Sequence, residues 1–445
     1  MKKVLFSLAG ILASIAVTPC ASAIPSFSRQ TNMTCQSCHA QHIPILNGFG
    51  QAFKAGGYPL MGSQGRIEGD HLSIPDTLNA SMRIKGRFQK SNGNTVDLVH
   101  GDTTNSGQWQ VPEEFSLFFG GRVYENVGFF FEGNTASSQL VSGFRLPATL
   151  TYNLAKISAI PYMTDTLGAS YGYELSSTGA VRNIRWAEHR KETSAQQYVG
   201  TDGAGTGIAF VAKNDFGYIN FSKWAPGFMA RSGAAQSLRS NYVRIAATPT
   251  INTATWGDWA LHIGAQSWNG SNFAPSLLPA PAPLLVRVET RATAIDFQAF
   301  GKIRGNDFGV YATWAKSPAG SQAKPNILNV GNNTTNGNNP AGPADPSLYR
   351  VNDRKAWTIG AEYSLIQNLL HIGGAYRRAS SGGATGALAV IGENPTDNAV
   401  TLTFVYNLSQ NSEVHINHSV YSGTLYDTPQ PNGNRLTTIM LEASW

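Results

Sequence analysis

Residues 356–380 read AWTIGAEYSLIQNLLHIGGAYRRAS. Trp357, Ile359, Ala361, Tyr363 and Leu365 alternate with Thr358, Gly360, Glu362 and Ser364. A period of two is what a strand shows when one face is apolar and the other polar. Ile366-Gln367-Asn368-Leu369 then interrupts the run, and Asn tolerates the left-handed backbone of a tight hairpin. A second strand follows over residues 370–380. Val400, Leu402, Phe404 and Tyr406 repeat the pattern, and Asn-containing turns recur at Tyr124–Val127, Lys213–Phe216, Gly305–Phe308 and Ser409–Ser412.

These short turns alternate with long polar connections such as Arg182 to Val199, Phe273 to Val286, Ser317 to Asp353 and Ala379 to Asp397. Short turns at one rim and long loops at the other describe an up-and-down antiparallel sheet. Sixteen strands are expected, the first at residues 78–90 and the last at 434–445. An even number puts both sheet ends on the short-turn rim, as in transmembrane barrels. Lipid offers no partner to an open sheet edge, so the sheet should close on itself. A soluble β-sandwich or propeller is the alternative that alternation alone leaves open. The two connection lengths argue against it, as does the ending Leu441-Glu442-Ala443-Ser444-Trp445, which is similar to the assembly signal of bacterial outer-membrane proteins. The Asn-rich tract from Asn326 to Asn339 and the Pro-rich Pro275 to Pro283 read as loop filler.

Composition agrees. Of 445 residues only 13% are charged, 46 are Gly and 10% are aromatic, and the mean hydropathy is −0.19. Neither a helical membrane protein nor a disordered chain has that balance. Lys and Arg number 33 against 27 acidic residues, scattered rather than clustered, so no nucleic-acid partner is expected.

Residues 1–23 read as a removed signal peptide. Lys2 and Lys3 precede an apolar run from Val4 to Val17, and Ala21-Ser22-Ala23 supplies the small residues of a cleavage site. Cys20 leaves with that leader. Residues 24–77 and 78–445 then divide the mature chain into a small plug and the barrel.

The two remaining cysteines stand in Cys35-Gln36-Ser37-Cys38-His39. Two thiols at this spacing form thioethers with the vinyl groups of one haem, while the adjacent imidazole reaches the iron. A zinc site needs about four ligands and finds no second Cys pair. A thioredoxin-like dithiol needs a βαβ context that the flanks lack, and a Cys35–Cys38 disulfide would close a short, strained loop. One haem c per chain is expected, on Cys35, Cys38 and the proximal ligand His39. Leu46, Phe49 and Phe53 fall at helical spacing in Ile45 to Ala55, with Gly56-Gly57 as the stop. So small a segment seldom holds a core alone, which makes the barrel its natural wall.

Met61 and His71 are the candidate distal ligands, with an inward-facing lumen His as a third source; Met33 and His42 sit too near the attachment site for easy approach. On the first strand Arg83, Lys85 and Arg87 share the polar face, with Arg122 and Arg145 nearby. They are candidate partners for haem propionates, or ordinary charges of a polar lumen. His262, His371 and His415 also fall on inward positions close to the short-turn rim.

Over residues 24–58 the chain resembles the outer-membrane monohaem cytochrome-porin fusion family, which includes the iron oxidases of iron-oxidising bacteria. The matching residues are Pro25, Phe27, Arg29, Gln30, Thr31, Cys35, Cys38, His39, Phe49, Gly50, Phe53, Lys54, Gly57 and Tyr58. Beyond them the likeness is one of architecture: leader, haem plug, barrel. The resemblance implies an electron-transfer protein taking electrons from extracellular ferrous ion, through one haem, to a periplasmic cytochrome or copper protein. Its other expected partner is outer-membrane lipid. Other extracellular donors, or a solute porin with a structural haem, are the alternatives. Glu113, Glu114 and Asp353, near long-loop strand ends, are candidate carboxylates for meeting ferrous ion in passing, or ordinary solvated loop charge.

Overall fold

The computed structural model describes residues 25–93, 105–136, 141–175, 194–227, 237–253, 257–275, 285–321, 323–329, 351–383, 393–430 and 432–445. The expected signal peptide lies outside them, as do most of the Asn-rich and Pro-rich tracts.

Sixteen antiparallel strands close into one barrel. They are β1 (Ala80–Ser91), β2 (Gln108–Tyr124), β3 (Val127–Asn134), β4 (Gly143–Arg145 with Ala148–Tyr152), β5 (Ala155–Thr164), β6 (Gly205–Lys213), β7 (Gly217–Pro226) and β8 (Ser240–Ala247 with Thr250–Thr253). The second half is β9 (Gly257–Asn269), β10 (Ala292–Ile303), β11 (Asn306–Ser317), β12 (Arg354–Ile366), β13 (Leu370–Ser381), β14 (Asn398–Ser409), β15 (Ser412–Ser422) and β16 (Arg435–Ser444). Pro147 and Pro249 break β4 and β8, because proline has no N–H to give the ladder. The seam pairs β16 with β1, Ile439 opposite Phe88 and Leu441 opposite Gly86. Every expected strand is present within a few residues of its expected place.

The pleat sorts the side chains. Along β10, Ile295 and Phe297 face outward while Asp296 and Gln298 are buried inside. Leu150, Phe210, Ile219, Ile359 and Leu402 add to the outer apolar surface, and Arg83, Lys85, Arg87, Arg244 and Arg377 are buried in the lumen. An apolar exterior around a polar interior is the inverse of a water-soluble fold and suits hydrocarbon.

Two bodies fill the lumen. The first is the N-terminal segment, with α1 (Pro25–Thr31), α2 (Gly48–Ala55) and a hairpin of Arg66–Gly69 with Leu72–Pro75. Pro25 opens α1, where its missing N–H is not needed, and Thr31 Oγ1 donates to the Phe27 carbonyl at 2.8 Å. α2 begins three residues later than the Ile45 start that the apolar spacing suggests. Asn47 caps it by accepting from the Gly50 N–H at 3.0 Å, and Ile45 is instead fully buried ahead of the cap. Gly57, at φ +80°, ends the helical run as expected.

The second body corrects the sequence reading. The connection from β5 to β6 is not an external polar loop over its described part. Ala169, Tyr171, Tyr173 and Leu175 are buried inside the barrel, together with the short helix α3 (Ala195–Val199). Arg244 on β8 anchors this loop, with Nε 3.5 Å from a Glu174 carboxylate oxygen and Nη1 and Nη2 each 2.9 Å from Asp296. Tyr198 of α3 lies under the Arg354 and Arg377 guanidinium groups, 4.2 and 4.5 Å from its ring centre. Asn326, read as filler, donates to the Arg291 and Pro318 carbonyls, both at 2.8 Å, and so organises the loop after β11.

Candidate functional site

The plug is fixed to the barrel wall at two places. On one side Phe27, Phe53 and Tyr58 pack on Phe118 and Phe130 of β2 and β3, Phe27 stacking on Tyr58 at 4.7 Å and meeting Phe53 edge-on at 5.3 Å. Gln30 Nε2 donates to the Tyr58 and Leu60 carbonyls, and Arg29 Nη1 to the Ala80 carbonyl at 2.6 Å. Contact is closest at Gly128, where a Cβ would stand 1.9 Å from the Gly57 carbonyl oxygen. Gly128→Val is therefore expected to unseat the plug while the barrel still forms. Limited trypsin digestion of the detergent-solubilised variant should then cut after Lys54, which resists in the native chain; unchanged resistance counts against this docking.

On the other side Gln41 and His42 enter the wall formed by β11 to β15. Gln41 Nε2 donates to the Glu362 carbonyl at 3.0 Å, its N–H to Asp307 Oδ2 at 3.3 Å, and Asn407 Nδ2 donates to its carbonyl at 3.4 Å. The plug thus crosses the lumen at the short-turn rim.

Between these anchors lies the Cys35–His39 turn. A single 3-10 turn over Cys35–Ser37 brings the two cysteines and the histidine together, with the Cys38 and His39 N–H groups donating to the Cys35 carbonyl at 3.0 and 2.9 Å. Cys35 and Cys38 are not joined in a disulfide. Burial raises the Cys38 thiol above its usual range. Burial also pushes the His39 imidazole down to about 4, so it is neutral with a lone pair to give. His39 Nδ1 is buried without a hydrogen-bond partner. Two thiols, a neutral imidazole and an orphaned ring nitrogen on one turn fit a covalently held haem. Helix α2 presses on this turn through Gly50, where a Cβ would stand 2.3 Å from the Cys38 carbonyl oxygen.

The other expected site residues are distributed as follows. Met61 is half-buried beside α1, next to Gly62, whose N–H donates to the Gln30 carbonyl at 2.8 Å. His71 is exposed at the tip of the plug hairpin, at φ 57°. Arg83, Lys85 and Arg87 do line the lumen, but each already has a carboxylate: Arg83 Nε lies 3.0 Å from Glu442, Arg87 Nη1 lies 3.7 Å from Glu113, and the Lys85 ammonium meets Glu114. Glu113 and Glu114 are therefore not loop-end carboxylates open to an ion outside. β2 starts at Gln108 and bulges opposite Lys85 and Arg87, which turns both inward. Asp353 is partly exposed and paired with Lys316 at 2.6 Å. Arg122 donates to Ser73 of the plug hairpin at 2.9 Å, and the Arg145 guanidinium covers the rings of Phe130 and Tyr171. His262 is buried on β9.

His371 and His415 gain a partner that sequence did not assign them, His42. The His42 ring centre is 5.7 Å from that of His371 and 5.6 Å from that of His415. His42 Nε2 is 2.9 Å from Glu362 Oε1, and His415 Nε2 is 2.9 Å from Glu413 Oε1. Burial lowers the pKa of His42, but the Glu362 and Glu413 carboxylates outweigh it and carry the imidazole up to about 9.

No protein-family model and no curated sequence matches the chain. Among solved structures the chain is similar to OmpT of Vibrio cholerae, at 11% identity and a TM-score of 0.45, over 86% of this chain and 100% of that one. It is similar to the outer-membrane channel DcaP of Acinetobacter baumannii at 11% identity, a TM-score of 0.46 and coverages of 83% and 97%. For OmpF of Salmonella typhi, solved with daunomycin, the values are 10%, 0.49, 86% and 100%.

Proposed function

We propose that this chain is an electron-transfer barrel of the bacterial outer membrane, holding one haem c on Cys35 and Cys38 with His39 as the proximal ligand. Extracellular ferrous ion is the donor in this reading, and a periplasmic cytochrome or copper protein the acceptor. The observation that carries it is a Cys-x-x-Cys-His turn held in the mouth of a closed barrel, on the rim that holds both ends of the sheet. An outer apolar band over sixteen strands supports the membrane location. The donor and acceptor rest on the resemblance at residues 24–58.

The haem, when bound, supplies one-electron redox chemistry at a potential set by ligation, burial and hydrogen bonding. The chain's own residues position and enclose it. Gln41 and His42 tie the attachment turn to β11–β15, the Phe27–Phe53–Tyr58 cluster ties it to β2 and β3, and the inward loop with α3 occupies the lumen above. A barrel filled in this way favours electron passage over free diffusion of solutes.

Anaerobic mixing of purified protein with ferrous ion tests the reading. The reduced α band should appear with ferrous ion as it does with dithionite. Reduction by dithionite alone, across the pH range in which the barrel stays folded, removes ferrous ion as the donor.

A further inference from the structure

We propose that His42, Glu413 and His415 form a binding site for one divalent first-row transition-metal ion in the lumen, distinct from the haem iron. One donor atom from each lies within 4.8 Å of the other two, and all three residues are buried. Donors bound to one ion at about 2.0–2.2 Å stand at most about 4.4 Å apart, so small side-chain rotations would gather these three on one ion. Two imidazoles and one carboxylate with open positions is the donor set that selects iron and its neighbours over magnesium or calcium.

The surroundings argue the same way. His42 Nδ1 lies 2.9 Å from the Ile43 carbonyl, which orients the ring and leaves Nε2 on the side of Glu362, 2.9 Å from its Oε1. Outer hydrogen bonds of this kind fix the tautomer of metal-ligating histidines. His415 Nδ1 is fully buried with no hydrogen-bond partner, a vacant ring nitrogen where an ordinary core histidine would be satisfied. Glu362 brings a second carboxylate to His42. His371, by contrast, is used up: Asn407 Nδ2, which also donates to the Gln41 and Asn368 carbonyls, donates to His371 Nε2 at 3.2 Å, and His371 Nδ1 bonds Ser364 Oγ at 2.9 Å. It walls the site rather than ligating. Two buried carboxylates, Glu362 and Glu413, adjoin His42, and a divalent cation would take the place of an imidazole proton in offsetting their charge.

The site joins the plug to the barrel, since His42 comes from the plug and Glu413 and His415 from β15. It stands on its own residues and does not depend on ferrous ion being the haem's electron donor.

The test uses the full-length detergent-solubilised holoprotein, stripped with chelator and titrated with cobalt(II), whose visible d–d bands report coordination. One cobalt ion per chain should bind. Glu413→Gln and His415→Ala should each weaken binding at least about tenfold, with the Soret and α bands unchanged. His418→Ala, altering an exposed histidine on the same strand, should bind like the native chain. Binding that is absent, or equal in all four proteins, overturns the proposal. So does a shifted Soret or α band in a heat-modifiable, folded Glu413→Gln protein, because the cluster would then be serving the haem iron. If cobalt binds as expected while ferrous ion leaves the haem oxidised, the donor assignment fails and the metal site stands.

Discussion

Cys35→Ala/Cys38→Ala is expected to strip the haem stain from a denaturing gel completely, while the native chain carries one covalent haem. In the proposed attachment both points would be thioethers from a single turn, and residues 25–445 hold no other cysteine to replace them. Single variants should retain one thioether and a weaker stain. The effect should extend beyond the cofactor. The plug's own apolar contacts are few, gathered around Phe27, Phe53, Tyr58 and Ile45, and a haem seated beside them supplies a large share of what a segment this small can bury. Trypsin should therefore reach Lys54 faster in the double variant. Native protein purified without any haem would defeat the attachment assignment.

The second large effect is expected at the loop anchor inside the barrel. Asp296 takes both terminal nitrogens of Arg244, and Gln266 Nε2 donates to it at 2.9 Å. Asp296→Ala leaves a buried guanidinium with Glu174 at 3.5 Å and the Tyr218 hydroxyl at 2.8 Å. Breaking a buried pair from one side costs about 3–5 kcal/mol. Denaturant unfolding in micelles should show that loss, and Asp296→Asn, which keeps the acceptor and the shape, should show less. The loop from β5 also loses its hold, so single-channel conductance should rise. A midpoint and conductance equal to the native values would mean that Arg244 is not the anchor.

The barrel was legible because each strand carries its own evidence. Ile295 and Phe297 point out and Asp296 and Gln298 point in for a reason written in consecutive residues, and Asn368 marks its turn locally. Even the prolines that split β4 and β8 shift nothing beyond their own strand. The Cys35–His39 motif was equally local, as five adjacent residues. What escaped was whatever depends on where a segment goes after it leaves the sheet. Tyr171 and Tyr173 alternate with Gly172 and Glu174 but belong to no strand, and the connection that carries them and Tyr198 looks polar, yet its described part lies in the lumen because Arg244, Arg354 and Arg377 await it there. Arg83, Lys85 and Arg87 were correctly assigned to the inner face, but the bulge that turns Glu113 and Glu114 toward them is a matter of register. His371 and His415 were placed inside near the right rim. His42 was set aside for its closeness to the attachment site, and only the docking of the plug, through Gln41 at Asp307 and Glu362, brings it between them.

The seam between β1 and β16 also constrains the order of events in biogenesis. The strands that meet there, at residues 80–91 and 435–444, come from opposite ends of the sheet. The wall therefore cannot close until the whole chain has been translocated, whereas the plug emerges first. Cys35 is only 4% exposed once the lumen is filled. Any group joined to that thiol would have to be attached while the cylinder is still open, and a plug so modified would wait for its last wall to arrive. For the proposed haem, attachment and closure of the barrel would then be successive steps with a fixed sequence, and a chain that closed early would be sealed without its cargo.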